Sequence, residues 1–179
     1  MHRIDQIVLL ARYNEWMNER ICAAAATLPA PVLSHERGAF FGSIIGTLNH
    51  IVVGDTIWLK RFAAQPRGQA ALEPVVALAM PVSLDQILFA SLEALRAHRQ
   101  WLDAIIVRWA GSLDEADLES VVRYANLKGV VSNKRFASLI THFFNHQTHH
   151  RGQLTALLHQ MGAEVGVTDL LALIADEPA

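Results

Sequence analysis

The chain has 179 residues, which is long enough to bury a full hydrophobic core, and this length predicts one domain over 1–179. Apolar residues make up 52% of the chain and the formal net charge is −2, so the composition is that of a globular protein without the basic surface that binds nucleic acid. There is no run of about 18 uninterrupted apolar residues, and the N-terminal residues lack the apolar centre of a signal peptide, so we expect a cytoplasmic protein that does not engage a membrane.

The first long helix is predicted over 3–28. Its apolar residues recur at helical spacing, and Pro29 and Pro31 are incompatible with its continuation. The following segment, 30–42, contains further glycine and proline and predicts a loop. Cys22, the single cysteine of the chain, lies within the first helix. Because it has no partner for an internal disulfide, we interpret it as a small buried core residue.

A second helix is predicted over about 43–64, with Ser43 as its N-terminal cap and one broad apolar face. His50 lies near the middle of this helix, and the residues one turn away on either side are Gly46 and Gly54. These small neighbours leave room beside the imidazole ring for another helix, an ion or a substrate.

A long connection is predicted over 65–82, where prolines and a glycine interrupt any regular pattern. This segment is either a cover for a pocket or a plain connector. Ser83 and Gln86 resemble a capping box and predict a third helix that extends to about Ala110. His98 lies on the apolar stripe of this helix, and we interpret it as a core histidine with one hydrogen bond.

The remaining elements complete an all-α architecture. Residues 119–132 change to an alternating pattern around a glycine-containing turn and predict a short β-hairpin. A fourth long helix is predicted from about Lys134 to Met161, followed by a short helix through Ile174 that Thr168 caps. Four long helices predict a four-helix bundle.

Potential metal ligands are concentrated in 141–153, where four histidines occur within nine positions. A helix turns by about 100° per residue, so each side chain can be placed relative to the apolar face of the fourth helix. This placement directs His146 and His150 toward the core and turns His149 and His159 away. Two imidazole rings one turn apart on the same helix can bind one ion.

A third ligand has to come from another part of the chain, and His50 is the best candidate. Asp55, on the same helix, lies about 140° around the helix from His50 and is a poor co-ligand. Without an ion, two inward histidines would each need a separate hydrogen-bond partner, which is costly. Helical spacing alone leaves both interpretations open, a metal site and a pair of core histidines.

Three segments resemble the signatures of the DinB-like (DinB/YfiT) metalloenzyme family. The segment His146–Gln153 resembles the family's HxxxHRGQ signature, and Leu48-Asn49-His50 followed by Trp58 is similar to its second-helix histidine segment. Tyr13–Asn18 resembles its first-helix YNxWxN signature. The three segments occur in the family's order and span nearly the whole chain.

The resemblance implies a four-helix bundle of the DinB/YfiT type, often a homodimer, with one divalent transition metal ion, typically nickel or zinc. The ligands it implies are His50, His146 and His150. Characterised relatives include thiol S-transferases and a thiol-dependent isomerase, so the resemblance favours a metal-dependent enzyme that uses a low-molecular-weight thiol on a small-molecule substrate. The alternatives are metal-assisted hydrolysis of a small molecule and a non-catalytic metal-binding or stress-response protein.

Other polar residues near the histidine run have less specific interpretations. Gln153 and Asn145 are candidates to orient the ligand histidines or a bound ligand, and His142 is either a further such group or a surface residue. Arg151 is interpreted as a bundle-capping or surface ion-pair residue as readily as a functional one. No catalytic base is recognisable from a motif. Among the aromatic residues, Tyr13, Trp16, Trp58, Trp101 and Trp109 are interpreted as core, with Tyr13 and Trp58 as candidates to line the metal cavity.

Overall fold

The computed structural model describes residues 2–65 and 70–176. Most of these residues are helical, and two short strands precede the last long helix. The elements in chain order are α1 (Arg3–Ala25), α2 (Ala30–Ser34), α3 (Ile44–Ala63), a 3₁₀ turn (Ala70–Leu72), α4 (Glu73–Val76), α5 (Leu92–Ser112), α6 (Glu115–Glu119), β1 (Val121–Ala125), β2 (Val131–Arg135), α7 (Phe136–Gln160) and a second 3₁₀ turn (Leu170–Leu173).

The four long helices α1, α3, α5 and α7 form the predicted bundle. Helix α1 packs against α5 and α7, and α3 packs against α7 and α5. The buried apolar residues form two clusters, one of which contains Phe62 and Trp109 and the other Met17 and Cys22. Cys22 is 1% exposed, which confirms its interpretation as a core residue. Burial raises the pKa of its thiol to about 11, so it is not a reactive thiolate.

The second and fourth helices begin close to where the sequence predicts. The Ser43 hydroxyl accepts a hydrogen bond of 3.0 Å from the backbone N–H of Gly46 and so caps α3. Helix α1 ends at Ala25 rather than 28, and part of the predicted loop 30–42 forms the short helix α2, which has Pro31 in its first turn.

The third long helix begins at Leu92 instead of Ser83, so the predicted capping box is wrong. Ser91 is the actual cap, since its hydroxyl accepts a 3.2 Å hydrogen bond from the backbone N–H of Ala94. The Ser83 hydroxyl instead donates to the carboxylate of Asp85 at 2.6 Å. The predicted start therefore fails because these side chains make local turn contacts and cap no helix.

Contacts from α3 keep the segment before α5 out of a helix. Asn49 Oδ1 accepts hydrogen bonds from the backbone N–H groups of Leu88 and Phe89, and Asn49 Nδ2 donates to the carbonyl oxygen of Phe89. The buried Asn49 side chain thus satisfies backbone groups of Leu88 and Phe89 that would otherwise bond to the backbone of a helix. The carbonyl of Leu84 in the same segment contacts His50, so this non-helical stretch reaches the histidines.

The β-hairpin predicted before the last long helix is present. Strands β1 and β2 pair antiparallel with Val121 opposite Arg135 and Ala125 opposite Val131. Gly129 has a φ of 78°, a left-handed conformation that favours glycine, in the connecting turn. Helix α7 follows β2 directly, so the hairpin is held beside the N-terminal turn of the helix that carries most of the histidines.

The connection 65–82 and the C-terminal segment both differ in detail from their predictions. The described part of 65–82 contains a 3₁₀ turn and α4, while residues 66–69 lie outside the described residues. The C-terminal helix is a 3₁₀ turn that Thr168 does not cap. Instead, the Thr168 carbonyl accepts a 2.6 Å hydrogen bond from the Tyr13 hydroxyl. None of the helices within 2–65 and 70–176 combines the length and the hydrophobicity needed to cross a membrane.

Candidate metal centre

His50 of α3 meets His146 and His150 of α7 inside the bundle. The Nε2 atom of His50 lies 3.0 Å from Nε2 of His146 and 3.1 Å from Nε2 of His150. One ligand atom from each of the three rings lies within 4.8 Å of the other two. The helical placement of the inward pair is therefore confirmed, and the third histidine comes from the predicted helix.

Hydrogen bonds on the far side of two rings determine how the rings face one another. His50 Nδ1 lies 2.8 Å from the carbonyl oxygen of Leu84, and His150 Nδ1 lies 2.8 Å from Oε1 of Gln153. Because a carbonyl oxygen only accepts hydrogen bonds, each Nδ1 is assigned the proton. The neutral rings then present their Nε2 lone pairs to each other.

The histidines are held in the neutral form. Burial lowers the pKa of His50 to about 4, and burial together with the neighbouring histidines lowers the pKa of His146 to about 3. Burial also lowers the pKa of His150. At neutral pH the Nε2 atoms of His50 and His150 therefore face each other at 3.1 Å, each with a lone pair and neither with a proton. Such an arrangement is unfavourable without a positively polarised partner. An N–H of His146, 3.0 Å from His50 Nε2, could satisfy one of the two lone pairs, and a cation shared by the three rings would satisfy both.

The spacing of the nitrogen atoms fits a shared ion. Two nitrogen ligands about 2.1 Å from one ion lie about 3.0 Å apart at the right angles of an octahedral site and about 3.4 Å apart at tetrahedral angles. The His50 Nε2 distances of 3.0 and 3.1 Å lie close to this range. Three neutral imidazoles, two of them with the second nitrogen anchored, are a donor set suited to a divalent transition metal.

Two glycines of α3 allow this close approach. An added Cβ on Gly54 would lie 2.8 Å from Cε1 of His146, so Gly54 leaves the space that this ring occupies. An added Cβ on Gly46 would collide with the backbone carbonyl of Phe41. Phe41 stacks on His50 with the ring centroids 3.6 Å apart and the planes inclined by 14°. The glycines on either side of His50 thus make room for one neighbouring helix and one loop.

An open cavity of about 430 Å³ adjoins the histidines. His50 and His146 line it, and so does Trp58 further along α3. Trp58 also packs against the core, so both of its interpretations apply. The hairpin turn, with Asn126–Lys128, and Leu84 form other parts of its wall. No described residue of the connection 65–82 lines this cavity, so that part of the connection is not its cover. Tyr13 does not line it either.

The residues proposed to orient the ligands have different positions. Gln153 contacts His150 as predicted. His142 is exposed, lines the cavity, and has its ring centroid 6.0 Å from that of His146 and 5.1 Å from that of Trp58. Asn145 is exposed and makes no hydrogen bond to the three histidines. His149 is exposed, consistent with its outward direction on the helix.

A buried charged network lies next to the histidines and includes Arg151, whose interpretation as a capping or surface residue is wrong. Arg151 is 3% exposed, and Nη1 donates to the Asn14 side-chain oxygen. Burial lowers its pKa to about 10. Its guanidinium lies over the Tyr13 ring, so the aromatic residue and Asn14 of α1 both hold an arginine of α7.

Asp55 is the point where this network reaches α3. Its carboxylate accepts a 2.8 Å hydrogen bond from Gln147 and pairs with Arg99 at 2.5 Å. Arg99 also pairs with Asp103, which accepts hydrogen bonds from Asn18 of α1. Burial raises the pKa of both carboxyl groups, and the Arg99 guanidinium opposes this shift. The carboxylate of Asp55 is therefore engaged away from the histidines, in agreement with its exclusion as a ligand.

Sequence reasoning missed most of this network and the ring of Phe41. Arg99 and Asp103 share a helix face with Leu95 and Leu102, which are fully buried, so charged residues on an apolar stripe were an available signal. Phe41 gave no comparable signal, because it lies in a loop whose path depends on the close approach at Gly46.

The fold and this centre define a helical-bundle protein with three histidines from two of its long helices facing one point. The chain belongs to the DinB family, whose model matches residues 1–178. It is similar to Protein DinB of Bacillus subtilis (strain 168), with 26% identity over 160 residues that cover 89% of this chain and 88% of that protein. No solved structure matched the chain. The family match confirms the resemblance drawn from the histidine and first-helix signatures.

Proposed function

We propose that the protein binds one divalent transition metal ion, nickel or zinc, through His50, His146 and His150, and that it is a metal-dependent enzyme that activates a low-molecular-weight thiol. The observation that carries the metal proposal is the pair of Nε2 lone pairs 3.1 Å apart on His50 and His150, each ring having its Nδ1 hydrogen-bonded to a carbonyl oxygen. A cation shared by the three rings would satisfy both lone pairs.

An enzyme is favoured over a purely structural metal site because the histidines adjoin a cavity of about 430 Å³. Three protein ligands leave a coordination position for a further group, which is typical of catalytic sites. An ion bound there would lower the pKa of a coordinated thiol or water toward neutrality. The cavity wall, with Trp58 and Leu127, would keep a small molecule next to the histidines.

Thiol activation is favoured over hydrolysis because of the groups that the cavity offers. None of the described residues that line it is acidic, so a carboxylate general base is absent from this set. Water bound to a metal ion is only partly deprotonated near neutral pH, so hydrolysis would gain from His142 as a proton acceptor. A thiol bound to a metal ion is deprotonated outright and gains nothing from such a base. The hydrolytic alternative therefore predicts that turnover depends on His142, and the thiol proposal does not.

The first experiment measures metal content per chain by mass spectrometry for the wild type and for His50→Gln, His146→Gln and His150→Gln. We expect about one equivalent of zinc or nickel in the wild type after reloading, and its loss in each variant. The exposed His149→Gln is the matched control and should keep its metal. A wild-type protein that stays metal-free after reloading would contradict the proposal.

The second experiment separates the two reactions in the metal-loaded protein. Thiol-dependent loss of an electrophile such as a chlorodinitrobenzene is followed with low-molecular-weight thiols, and ester hydrolysis is followed without them. We expect thiol-dependent turnover that disappears in His150→Gln and persists in His142→Gln. Hydrolysis without any thiol, lost in His142→Gln, would favour the alternative, and no turnover in either assay would favour a non-catalytic metal protein.

A further inference from the structure

The cavity beside the histidines carries two cationic side chains at its far end. Arg61 and Lys128 line it, and no acidic residue does so within the described parts of the chain. The hairpin brings Lys128 to the helix that carries Arg61, although 67 positions of the chain separate them by number. The two cationic side chains therefore meet at this cavity only because the hairpin folds over α3.

Two aromatic rings and a backbone carbonyl hold Arg61 in place within the described part of the chain. Its guanidinium lies 4.6 Å from the centroid of the Trp58 ring and 4.9 Å from that of Tyr124. Its Nη2 atom donates a 3.0 Å hydrogen bond to the carbonyl oxygen of Ala125. No described carboxylate pairs with it, and the side chain is half-buried. A fixed, partly desolvated guanidinium with remaining free N–H groups is a ready partner for an anionic oxygen group.

The positions along α3 set the distance between this charge and the histidines. His50, Gly54 and Trp58 follow one another at intervals of one turn on the helix face that lines the cavity. His50 and Trp58 are thus about 12 Å apart along the helix axis. Gly54, between them, adds no side chain to the cavity wall. A molecule that reaches both ends must be elongated.

We propose that this end of the cavity is an anion-binding subsite, with Arg61 and Lys128 binding a carboxylate or similar anionic group of the thiol. The thiol would place its sulfur at the histidines and its anionic group between Arg61 and the hairpin turn. This proposal rests on the proposed function for the position of the sulfur, while the anion subsite itself needs no metal. It identifies the thiol as an elongated organic anion.

The test varies the length of the alkyl arm between the thiol and the carboxylate of the ligand. Zinc-loaded protein is titrated calorimetrically with ω-mercaptocarboxylates from mercaptoacetate to mercaptoundecanoate, and with the ω-mercaptoalcohols of equal length. We expect a carboxylate to bind about tenfold more tightly than its alcohol once the arm reaches Arg61, the effect expected of a charge-assisted hydrogen bond. The advantage should disappear in Arg61→Gln and decrease in Lys128→Gln.

Matched controls lie on the same hairpin. Arg123 and Lys134 are exposed and do not line the cavity, so Arg123→Gln and Lys134→Gln should keep the carboxylate preference. An unchanged preference in Arg61→Gln, with metal content intact, would overturn the subsite. A preference greatest for mercaptoacetate would overturn it as well, since the carboxylate would then be bound beside the sulfur.

Metal-free protein separates this proposal from the proposed function. If the wild type binds no metal, the proposed function fails, and the subsite is tested with simple alkyl carboxylates and the corresponding alcohols. Binding of the carboxylates that is lost in Arg61→Gln would support the subsite on its own. Equal binding of carboxylates and alcohols by the metal-free wild type would overturn it.

Discussion

The side-chain amide of Gln147 donates a 2.8 Å hydrogen bond to the carboxylate of Asp55, and this contact joins α7 to α3 directly beside the histidines. Gln147 follows His146 in α7, and Asp55 follows Gly54, the residue that the His146 ring contacts. Both side chains are fully buried. The contact therefore sets the relative position of the two helices that would supply the metal ligands.

Replacing Asp55 with Asn should destabilise the protein strongly. The substitution removes the charge that pairs with Arg99 at 2.5 Å and leaves a buried guanidinium with Asp103 as its remaining carboxylate. Breaking a buried pair in this way costs about 3 kcal/mol or more in the free energy of unfolding. Urea unfolding followed by circular dichroism measures the change. Glu119→Gln, which breaks exposed pairs with Arg3 and Arg135, is the control and should change stability little.

Gly54→Ala should weaken metal binding without unfolding the bundle. The added methyl group would lie 2.8 Å from Cε1 of His146 and displace that ring from the other two. Competition with a chromogenic chelator should show a clear loss of zinc affinity. Gly152→Ala is the matched control, because Gly152 is exposed on α7 and an added Cβ meets nothing within 4 Å. It should leave zinc affinity unchanged and add about 0.5–1 kcal/mol to stability. Equal zinc affinity in both variants would contradict the geometry.

Gln153→Ala should reduce metal affinity by about tenfold or more, the usual effect of losing a side chain that orients a ligand histidine. The reason is the 2.8 Å contact between Gln153 Oε1 and His150 Nδ1, which directs Nε2 toward the other rings. The same chelator competition measures it. Asn145→Ala is the comparison, since Asn145 is exposed on the same helix and does not contact the histidines. Similar losses in the two variants would mean that the Gln153 contact does not orient the ligand.

The metal-free protein should lose stability as the pH falls from about 6.5 to about 4. His50 has a folded-state pKa of about 4 because of burial, against an ordinary value of 6.5. Between these values the unfolded chain binds a proton that the folded chain does not, so the free energy of unfolding decreases as the pH falls. The full stabilisation is present above pH 6.5. For His50 the loss is on the order of 3 kcal/mol by linkage.

The measurement is urea unfolding in the presence of a chelator across this pH range. His50→Gln removes one of the titrating groups and should reduce the dependence, while the buried His146 and His150 carry the part that remains. The exposed His149→Gln should retain the full dependence. If His50→Gln and the wild type lose the same free energy of unfolding on acidification, the pKa of His50 is not lowered in the folded protein, which would contradict its buried, neutral state.

The local pattern of apolar and polar residues in the sequence was sufficient to predict much of the fold and part of the site. Helical periodicity placed α1, α3 and α7 within a few residues of their observed bounds, and alternation placed the hairpin. The inward direction of His146 and His150 followed from helix geometry alone, because two positions one turn apart on one helix keep a fixed relation. The buried position of Arg151 cannot be predicted in this way, because its partner, Asn14, lies 137 positions away and has no signature in the local pattern.

The sequence by itself determined that the chain forms long amphipathic helices and that α7 directs two histidines inward, since these properties depend on neighbours within about two turns. Tertiary structure alone decided the rest. It brought His50 to that pair, kept the segment before α5 out of a helix through Asn49, and placed the hairpin turn over Arg61. These contacts join residues far apart in the chain, and their geometry depends on how the helices pack.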